Sequence, residues 1–515
     1  MNTPLIPALA AYSAALNAGT GRARLDGAAL RMQVLDIIQT ILKFHPGLQI
    51  AILADNSPSW IAVDLACASL VRSGFPSTLV PLPDFFTNEQ LSHLVKEAQV
   101  TLLVTDNPQR AAELGFEVLA EQEEASNFPL IWMTPKPQLR ASTPLMSASK
   151  AQALRPVQKI TFTSGTTGQP KGVCLTVDQQ WQVAAALDHA TTGLNIQRHL
   201  CLLPLAVLLE NIAGVYAPLL ANAEICCPPL SEVGLTGASQ FDASLCLDAI
   251  ARFQAESIIL LPQTLFALLQ AIQPGDLRIR SLKFAAVGGG KVPSGLLALA
   301  ALHGLPVFEG YGLSECSSVV CLNTVEQHKP GTVGKPLHGV QVRIAQDQEI
   351  WVNREGSRGF EGYLHQLGDA SQTQTTLSDG WMPTGDLGSI DEDGFVSIHG
   401  RKKNLIITGF GRNVSPEWPE SILLESGQFL QAVVFGEGMS SLCAVVVPRP
   451  GYKPEQLNTL LQTVNARLPD YAQIHQVFVA AEPFTHSNGL ATANGRVRRE
   501  AIWQTYSIHF QGLQA

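Results

Sequence analysis

The sequence predicts an α/β protein: a large N-terminal domain of stacked α/β subdomains with a small β-rich subdomain, followed by a small α+β C-terminal domain. Three observations predict it. Short apolar β-rich runs alternate with helical periodicity from the N-terminus onward. From about residue 329 the pattern changes to short alternating stretches such as VGKPLHGVQVRIAQDQEIWVN and GFVSIHG. A charged run, GRKKN, near 400–404 then precedes a piece that reads as a compact unit of its own. These changes of pattern place the domains at 1–400 and 401–515.

The elements follow in order. Apolar spacing predicts a helix over 28–44, a strand over 49–55, a helix over 58–73 and a strand within 75–83. A helix over 88–99 and a strand over 100–107 complete this stretch, a spacing that suits parallel strands with right-handed crossovers. A polar linker is expected around 141–153. Beyond it come a helix over 242–255, a strand over 257–262, a helix over 263–273, the strand LKFAAVGGG (282–290), a helix near 293–302 and LPVFEGYG (305–312). Strands that run into glycines mark the carboxyl ends where open α/β sheets place ligands. The C-terminal piece predicts helices over 416–426 and 454–468 around strands at 431–437 and 441–449.

Composition excludes several classes. With 515 residues, 46% hydrophobic, 15% charged and a net charge of −9, the chain is neither disordered, fibrous nor a small disulfide-stapled scaffold. The mild acidity argues against nucleic acid as a partner. The nine cysteines are scattered and odd in number, which fits reduced, buried thiols and a cytoplasmic location. No Lys or Arg precedes the apolar stretch at the N-terminus, so it does not read as a signal peptide. The longest apolar run, 202–220, carries Glu210 and Asn211 in its middle and Pro204 and Pro218 at its ends. It predicts a buried strand followed by a buried helix, and no transmembrane segment.

The sharpest motif is ITFTSGTTGQPKGVCLT, residues 160–176. Gly165, Gly168 and Gly172 let the backbone turn tightly, so that successive amides converge on an anion. Thr163, Ser164, Thr166 and Thr167 add hydroxyl donors, and Lys171 adds a mobile positive charge. That is the chemistry a polyphosphate requires. The spacing is not that of the P-loop, so a kinase or GTPase reading does not follow.

Here the sequence resembles the AMP-forming acyl-activating superfamily, which includes acyl-CoA synthetases, luciferases and peptide-synthetase adenylation domains. The resemblance continues through FEGYGLSE (308–315), GTVGKPLHG (331–339), GY (362–363), WMPTGDLGSIDEDGFVSIHGRKKNLI (381–406) and, weakly, NGLATANGRVRRE (488–500). It implies ATP and Mg²⁺, with Glu315 as a ligand of the metal, a role that suits a carboxylate beside a triphosphate. It places Tyr311 against adenine, with Gly312 and Ser314 in the same motif, and Ser314 keeps the hydroxyl of the family's usual Thr. Asp386 stands at the family's ribose-binding position, where an acceptor-only carboxylate suits two hydroxyls. Arg401 matches an arginine near ribose and phosphate. Lys403 matches the hinge about which a mobile small domain swings. Gly288, Gly289 and Gly290 match the segment lining the acyl and adenine side.

Two positions depart from the family pattern. Its C-terminal motif ends in Gly-Lys, and the lysine reaches the carboxylate and α-phosphate; here the pair is Gly495-Arg496. Arginine keeps the charge but is longer, planar and differently hydrated. Val207 stands where long-chain synthetases place a His or aromatic residue. The greasier wall fits an apolar acyl or aryl group and equally fits core packing. The resemblance implies that a carboxylic acid is activated as an acyl adenylate, with Lys171, Glu315, Arg401 and Arg496 serving the chemistry. The acyl group then passes to coenzyme A. Alternatives are the phosphopantetheine of a separate acyl-carrier protein as acceptor, or a nucleotide-binding homologue weakened by Arg496. Scattered His residues such as His189, His303, His338 and His365 have no metal-site spacing.

Overall fold

The computed structural model describes residues 5–19, 22, 24–44, 48–119, 129–142, 148–163, 170–237, 240–354, 361–367, 380–409, 412–492 and 495–510. The architecture is mixed α/β. One seven-stranded sheet has the order Phe116–Val118, Ile131–Pro135, Leu102–Thr105, Leu48–Leu53, Ser77–Pro81, Val157–Thr163, Lys171–Thr176. Its central strands are parallel, and its edges are antiparallel. The helix Pro58–Arg72, begun by a Ser57 side-chain cap and Pro58, is buried along most of its length. Capping and Pro at the first turn explain its start.

A nine-stranded sheet runs Lys335–Pro336, Ser318–Leu322, Val307–Leu313, Phe284–Val287, Ser257–Leu260, Arg198–Leu200, Glu224–Cys226, Ala15–Asn17, Arg24–Asp26. The N-terminal hairpin at Ala15–Asn17 and Arg24–Asp26 therefore extends this second sheet, which apolar periodicity alone does not reveal. A four-stranded sheet follows from Val340–Ile344, Glu349–Arg354, Met382–Ile390 and Val396–Arg401, in line with the expected β-rich segment. The last sheet has three strands, Phe429–Phe435, Leu442–Pro448 and Ile474–Val479, packed by the helices Glu417–Glu425 and Leu457–Asn465. A terminal helix, Arg499–Tyr506, was not expected from the pattern.

Two expectations change. The 202–220 run is not a strand and helix: the strand is Arg198–Leu200, residues near Pro204 turn, and Glu210–Tyr216 is a π-helix that passes into Ala217–Leu220. The cause is polar. Glu210 is fully buried with His199 Nε2 2.9 Å from its Oε1, and Leu203 N donates to its Oε2. A π-bulge lets this turn of helix present Glu210 and Asn211 inward at once. The expected linker at 141–153 is largely helical, in Pro137–Ser142 and Ala148–Leu154, with 143–147 outside the described residues.

A buried polar network joins the strand Val157–Thr163 to the helices Pro58–Arg72 and Val177–Thr191 and to the π-helix Glu210–Tyr216. Lys159, on the strand leading to the glycine-rich loop, lies 3.0 Å from Asp64 Oδ1 and is 1% exposed. Lys159 also donates to Asn211 Oδ1 and Tyr216 OH, and Tyr216 OH donates to Asp64 Oδ2 at 2.9 Å. Gln158 donates to Asp64 Oδ1 and accepts from Gln180. A buried charge is tolerated only when it is paired and hydrogen-bonded to this degree. All nine cysteines are buried and form no disulfide. No described helix is long and apolar enough to cross a membrane.

Candidate active site

The strands Val157–Thr163 and Lys171–Thr176 pair antiparallel, with Thr163 opposite Lys171. The two strands that flank the glycine-rich segment are thus held in one ladder. Thr163 Oγ1 reaches Lys171 O at 3.5 Å. Ser164, Gly165, Thr166, Thr167 and Gly168 lie outside the described residues. Residues 362–364 add a further extended rung beside the second strand: Cys174 N donates to Gly362 O at 3.1 Å, and Leu364 N donates to Gly172 O at 2.8 Å. This rung brings the Tyr363 ring to 5.6 Å from Lys171 Nζ.

Tyr363 also reaches the second motif, because its hydroxyl donates to Glu315 Oε1 at 2.8 Å. Burial, then the Glu315 charge, holds that phenol well above its ordinary range. Glu315 sits in the one-turn helix Ser314–Cys316 between the antiparallel strands Val307–Leu313 and Ser318–Leu322. Gln179, on the helix Val177–Thr191, donates to the Glu315 carbonyl at 3.0 Å and fixes the turn from outside. Gly312 is required by close approach: a Cβ there would lie 1.6 Å from Ser318 O. The next strand of the sheet, Phe284–Val287, ends in Gly288, Gly289 and Gly290, of which Gly289 adopts φ +78°. That is a left-handed conformation which side chains disfavour.

The third motif lies on the four-stranded sheet. Asp386 and Arg401 are register partners across Met382–Ile390 and Val396–Arg401, and Arg401 Nε is 2.7 Å from Asp386 Oδ1. Tyr311 OH donates to Asp386 Oδ2 at 2.6 Å, and Asp386 N donates to Thr384 Oγ1. The Asp386 side chain is 5% exposed. Burial raises its pKa, and Arg401 and the Tyr311 hydroxyl oppose the rise. The Tyr311 phenol is pushed well above its usual value by burial and by Asp386. Tyr311 and Asp386 come from different sheets, so their contact locks the two together.

Positive charge gathers around this carboxylate. Loss of water contact, then the Arg401, Arg496 and Lys171 cations, lowers the pKa of Lys403, with Asp386 opposing. Arg496 interacts with Arg401, Asp386 and Glu315, and its Nη2 lies 3.5 Å from Gly289 O. A recess of ≈ 290 Å³ is lined by Gly385, Arg401, Lys402 and Lys403. Lys402 itself points elsewhere, to Asp347 and Glu349 at 2.6 and 2.8 Å.

The profile of the AMP-binding enzyme family matches residues 27–364, and that of the AMP-binding enzyme C-terminal domain matches 403–512. The chain belongs to the AMP-binding enzyme family. Among relatives in the family, the long-chain-fatty-acid–CoA ligase FadD15 of Mycobacterium bovis is 26% identical over 554 residues, covering 94% of this chain and 90% of its own. The 2-succinylbenzoate–CoA ligase of Bacillus cytotoxicus is 29% identical over 429 residues, covering 79% and 80%. In fold, the chain is similar to the O-succinylbenzoate coenzyme A synthetase of Bacillus subtilis solved with AMP: TM-score 0.72, 21% identity, with 95% of each chain covered.

Within the described residues, the fold brings together Thr163, Lys171, Tyr311, Glu315, Asp386, Arg401, Lys403, Arg496 and the Gly288–Gly290 segment. Sequence reasoning assigned no role to Tyr363 or Gln179. The GY pair at 362–363 was a signal for the first, whereas Gln179 carries none, since its partner is a backbone carbonyl 136 residues away. It also did not foresee that His199, Cys201 and Glu210 place ligand-type atoms within 4.8 Å of one another. Their separations along the chain match no metal-site pattern, and only the π-helix folds Glu210 back onto His199.

Proposed function

We propose that this protein activates a carboxylic acid with ATP as an acyl adenylate and transfers the acyl group to the thiol of coenzyme A. One observation carries the reading: Lys171, the neighbours Arg401 and Lys403, and Arg496, from three separate segments, converge where the opposing carboxylates are Asp386 and Glu315. Such an excess of positive charge suits a polyphosphate and the charge that builds on its α-phosphoryl group during attack. The family and its CoA-ligase relatives support the same chemistry.

The residues divide the work. Asp386, whose two carboxylate oxygens are held by Arg401 and Tyr311, takes the ribose hydroxyls, and the Tyr311 ring flanks the base. Thr163 and Lys171, with the loop 164–168, bind the β- and γ-phosphates. Glu315 offers a hard oxygen to Mg²⁺, the donor type that ion selects, and Tyr363 orients it. Mg²⁺ supplies charge neutralisation on the phosphates. Arg496 bridges the acid's carboxylate and the α-phosphate, its fork serving two oxygens at once. Positioning of the two reactants supplies much of the acceleration. The units 1–400 and 401–515 are the large domain and the mobile small one, with Lys403 at the hinge. Swinging the small domain away then opens the adenylate to the thiol. Leu208, buried, with Val207 and Leu209, partly buried, suits an apolar acyl or aryl group. Nine buried thiols without a disulfide fit a reducing compartment such as the cytoplasm.

The test is pyrophosphate release by the purified protein with ATP, Mg²⁺ and a panel of fatty and aryl acids, with and without coenzyme A, and beside Arg496→Lys and Arg496→Ala. Acid-dependent release, thioester detected by mass and loss in Arg496→Ala are expected. Adenylate formation that coenzyme A does not discharge, but a phosphopantetheinylated carrier protein does, would replace the acceptor. Release by Arg496→Lys alone would show that arginine disables the first step.

A further inference from the structure

The segment running from Gly288 to the helix Ser294–Leu302 is gripped at both ends by the C-terminal unit. At one end Arg496 Nη2 reaches Gly289 O at 3.5 Å. At the other, Ser294 N and Ser294 Oγ both donate to Glu425 Oε1, at 3.2 and 2.8 Å. The N-cap residue of this helix is Pro293, which makes no side-chain cap bond. Glu425 therefore supplies, from another part of the chain, the acceptor that a helix N-terminus ordinarily finds in its own cap. Its other oxygen is held by Arg467 Nη2 at 2.6 Å, and its side chain is 12% exposed. Charge adds to the grip, since Lys291 is attracted by Glu417, Glu420 and Glu425. The Arg449 guanidinium lies 3.8 Å over the Phe266 ring, a further contact between the same two units.

We propose that Glu425 is a positioning residue for the adenylation half-reaction, a latch that caps the Ser294 helix only while the C-terminal unit is closed and so holds Arg496 at Gly289. The proposal rests on the function given above. The cap is lost when the small domain swings away, because Glu425 and Arg496 both belong to the C-terminal unit. The latch is thus worth its bond energy in the first half-reaction and nothing in the second.

The experiment separates the two half-reactions. Glu425→Ala removes the acceptor; Ser294→Pro removes both donors while leaving a residue suited to the first helical position, after Pro293 whose φ −62° and ψ 137° already suit a following proline. Each variant is expected to slow ATP–pyrophosphate exchange by about five- to tenfold, the scale of a charged helix cap. Thioester formation from supplied acyl adenylate and coenzyme A stays unchanged or rises. Equal slowing of both half-reactions means a structural role and overturns the proposal, as does unchanged exchange. Hydrogen exchange is the readout that needs no turnover: ATP with Mg²⁺ should slow the amides of 294–296 in the native protein and not in Glu425→Ala. Should no acid support exchange in the native protein, the proposed function fails, and equal protection in both proteins would still sink the latch on its own.

Discussion

Asp386 and Arg401 face one another across an antiparallel pair of strands, with Arg401 Nε 2.7 Å from Asp386 Oδ1 and Tyr311 OH on the other carboxyl oxygen at 2.6 Å. One carboxylate thereby ties the four-stranded sheet to the nine-stranded one. Asp386→Asn keeps the shape but loses the charge that holds Arg401, and its amide presents a donor where Arg401 and Tyr311 each need an acceptor. The KM for ATP is expected to rise about tenfold or more, the loss of one charge-assisted bond. Steady-state kinetics with varied ATP measure it, and an unchanged KM would remove Asp386 from the nucleotide site.

Lys159 and Asp64 are each 1% exposed and 3.0 Å apart. Lys159→Met alone strands the Asp64 carboxylate and should cost about 3–5 kcal/mol in denaturant unfolding. Adding Asp64→Asn removes the stranded charge and is expected to recover a large part of that loss. If the double variant is no more stable than Lys159→Met, the pair is not the cause.

Gly312→Ala places a methyl group where Ser318 O already stands, 1.6 Å away. Backbone cannot yield as a side-chain tip does, so a cost of about 3 kcal/mol or more is expected. The Ser314–Cys316 turn shifts with it, and binding of ATP–Mg²⁺ by calorimetry should weaken because Glu315 rides on that turn.

Glu309 is 5% exposed and accepts from Gly331 N at 2.9 Å. Burial raises its pKa from 4.5 to about 7, opposed by the Gly331 amide and by Lys291. The folded state therefore holds this proton more tightly than the unfolded one. Its stabilising effect is complete below pH 4.5 and is lost as pH rises through about 7. Glu309→Gln keeps an acceptor for Gly331 and abolishes the titration. Relative to the native protein, the variant should gain on the order of 1–3 kcal/mol between pH 5 and 8. Unfolding at a series of pH values checks it, and parallel curves would refute it.

Much of the site could be read before the fold was known. Lys171, Glu315, Asp386 and Arg401 each sit in a short run whose glycines, hydroxyls and charges carry meaning locally. The strands and helices of 28–107 and 242–312 also appear close to where apolar spacing puts them, since burial of one face is a local pattern. The π-helix at Glu210–Tyr216 was not legible, because it depends on partners such as His199, Asp64 and Lys159 that the chain delivers from other elements.

Local chemistry therefore carries the expected class of ligand and the order of the elements, since amides, hydroxyls and charges within a few residues of one another limit what can be bound. Which residues hold those groups in place was settled by the folded arrangement. Tyr363 reaches Glu315 across 48 residues, Tyr311 reaches Asp386 across 75, and Glu425 caps Ser294 across 131. Each is a polar contact between residues on separate segments of the chain. No periodicity or spacing encodes such a contact, since its partners become neighbours only after the apolar faces beneath them have packed.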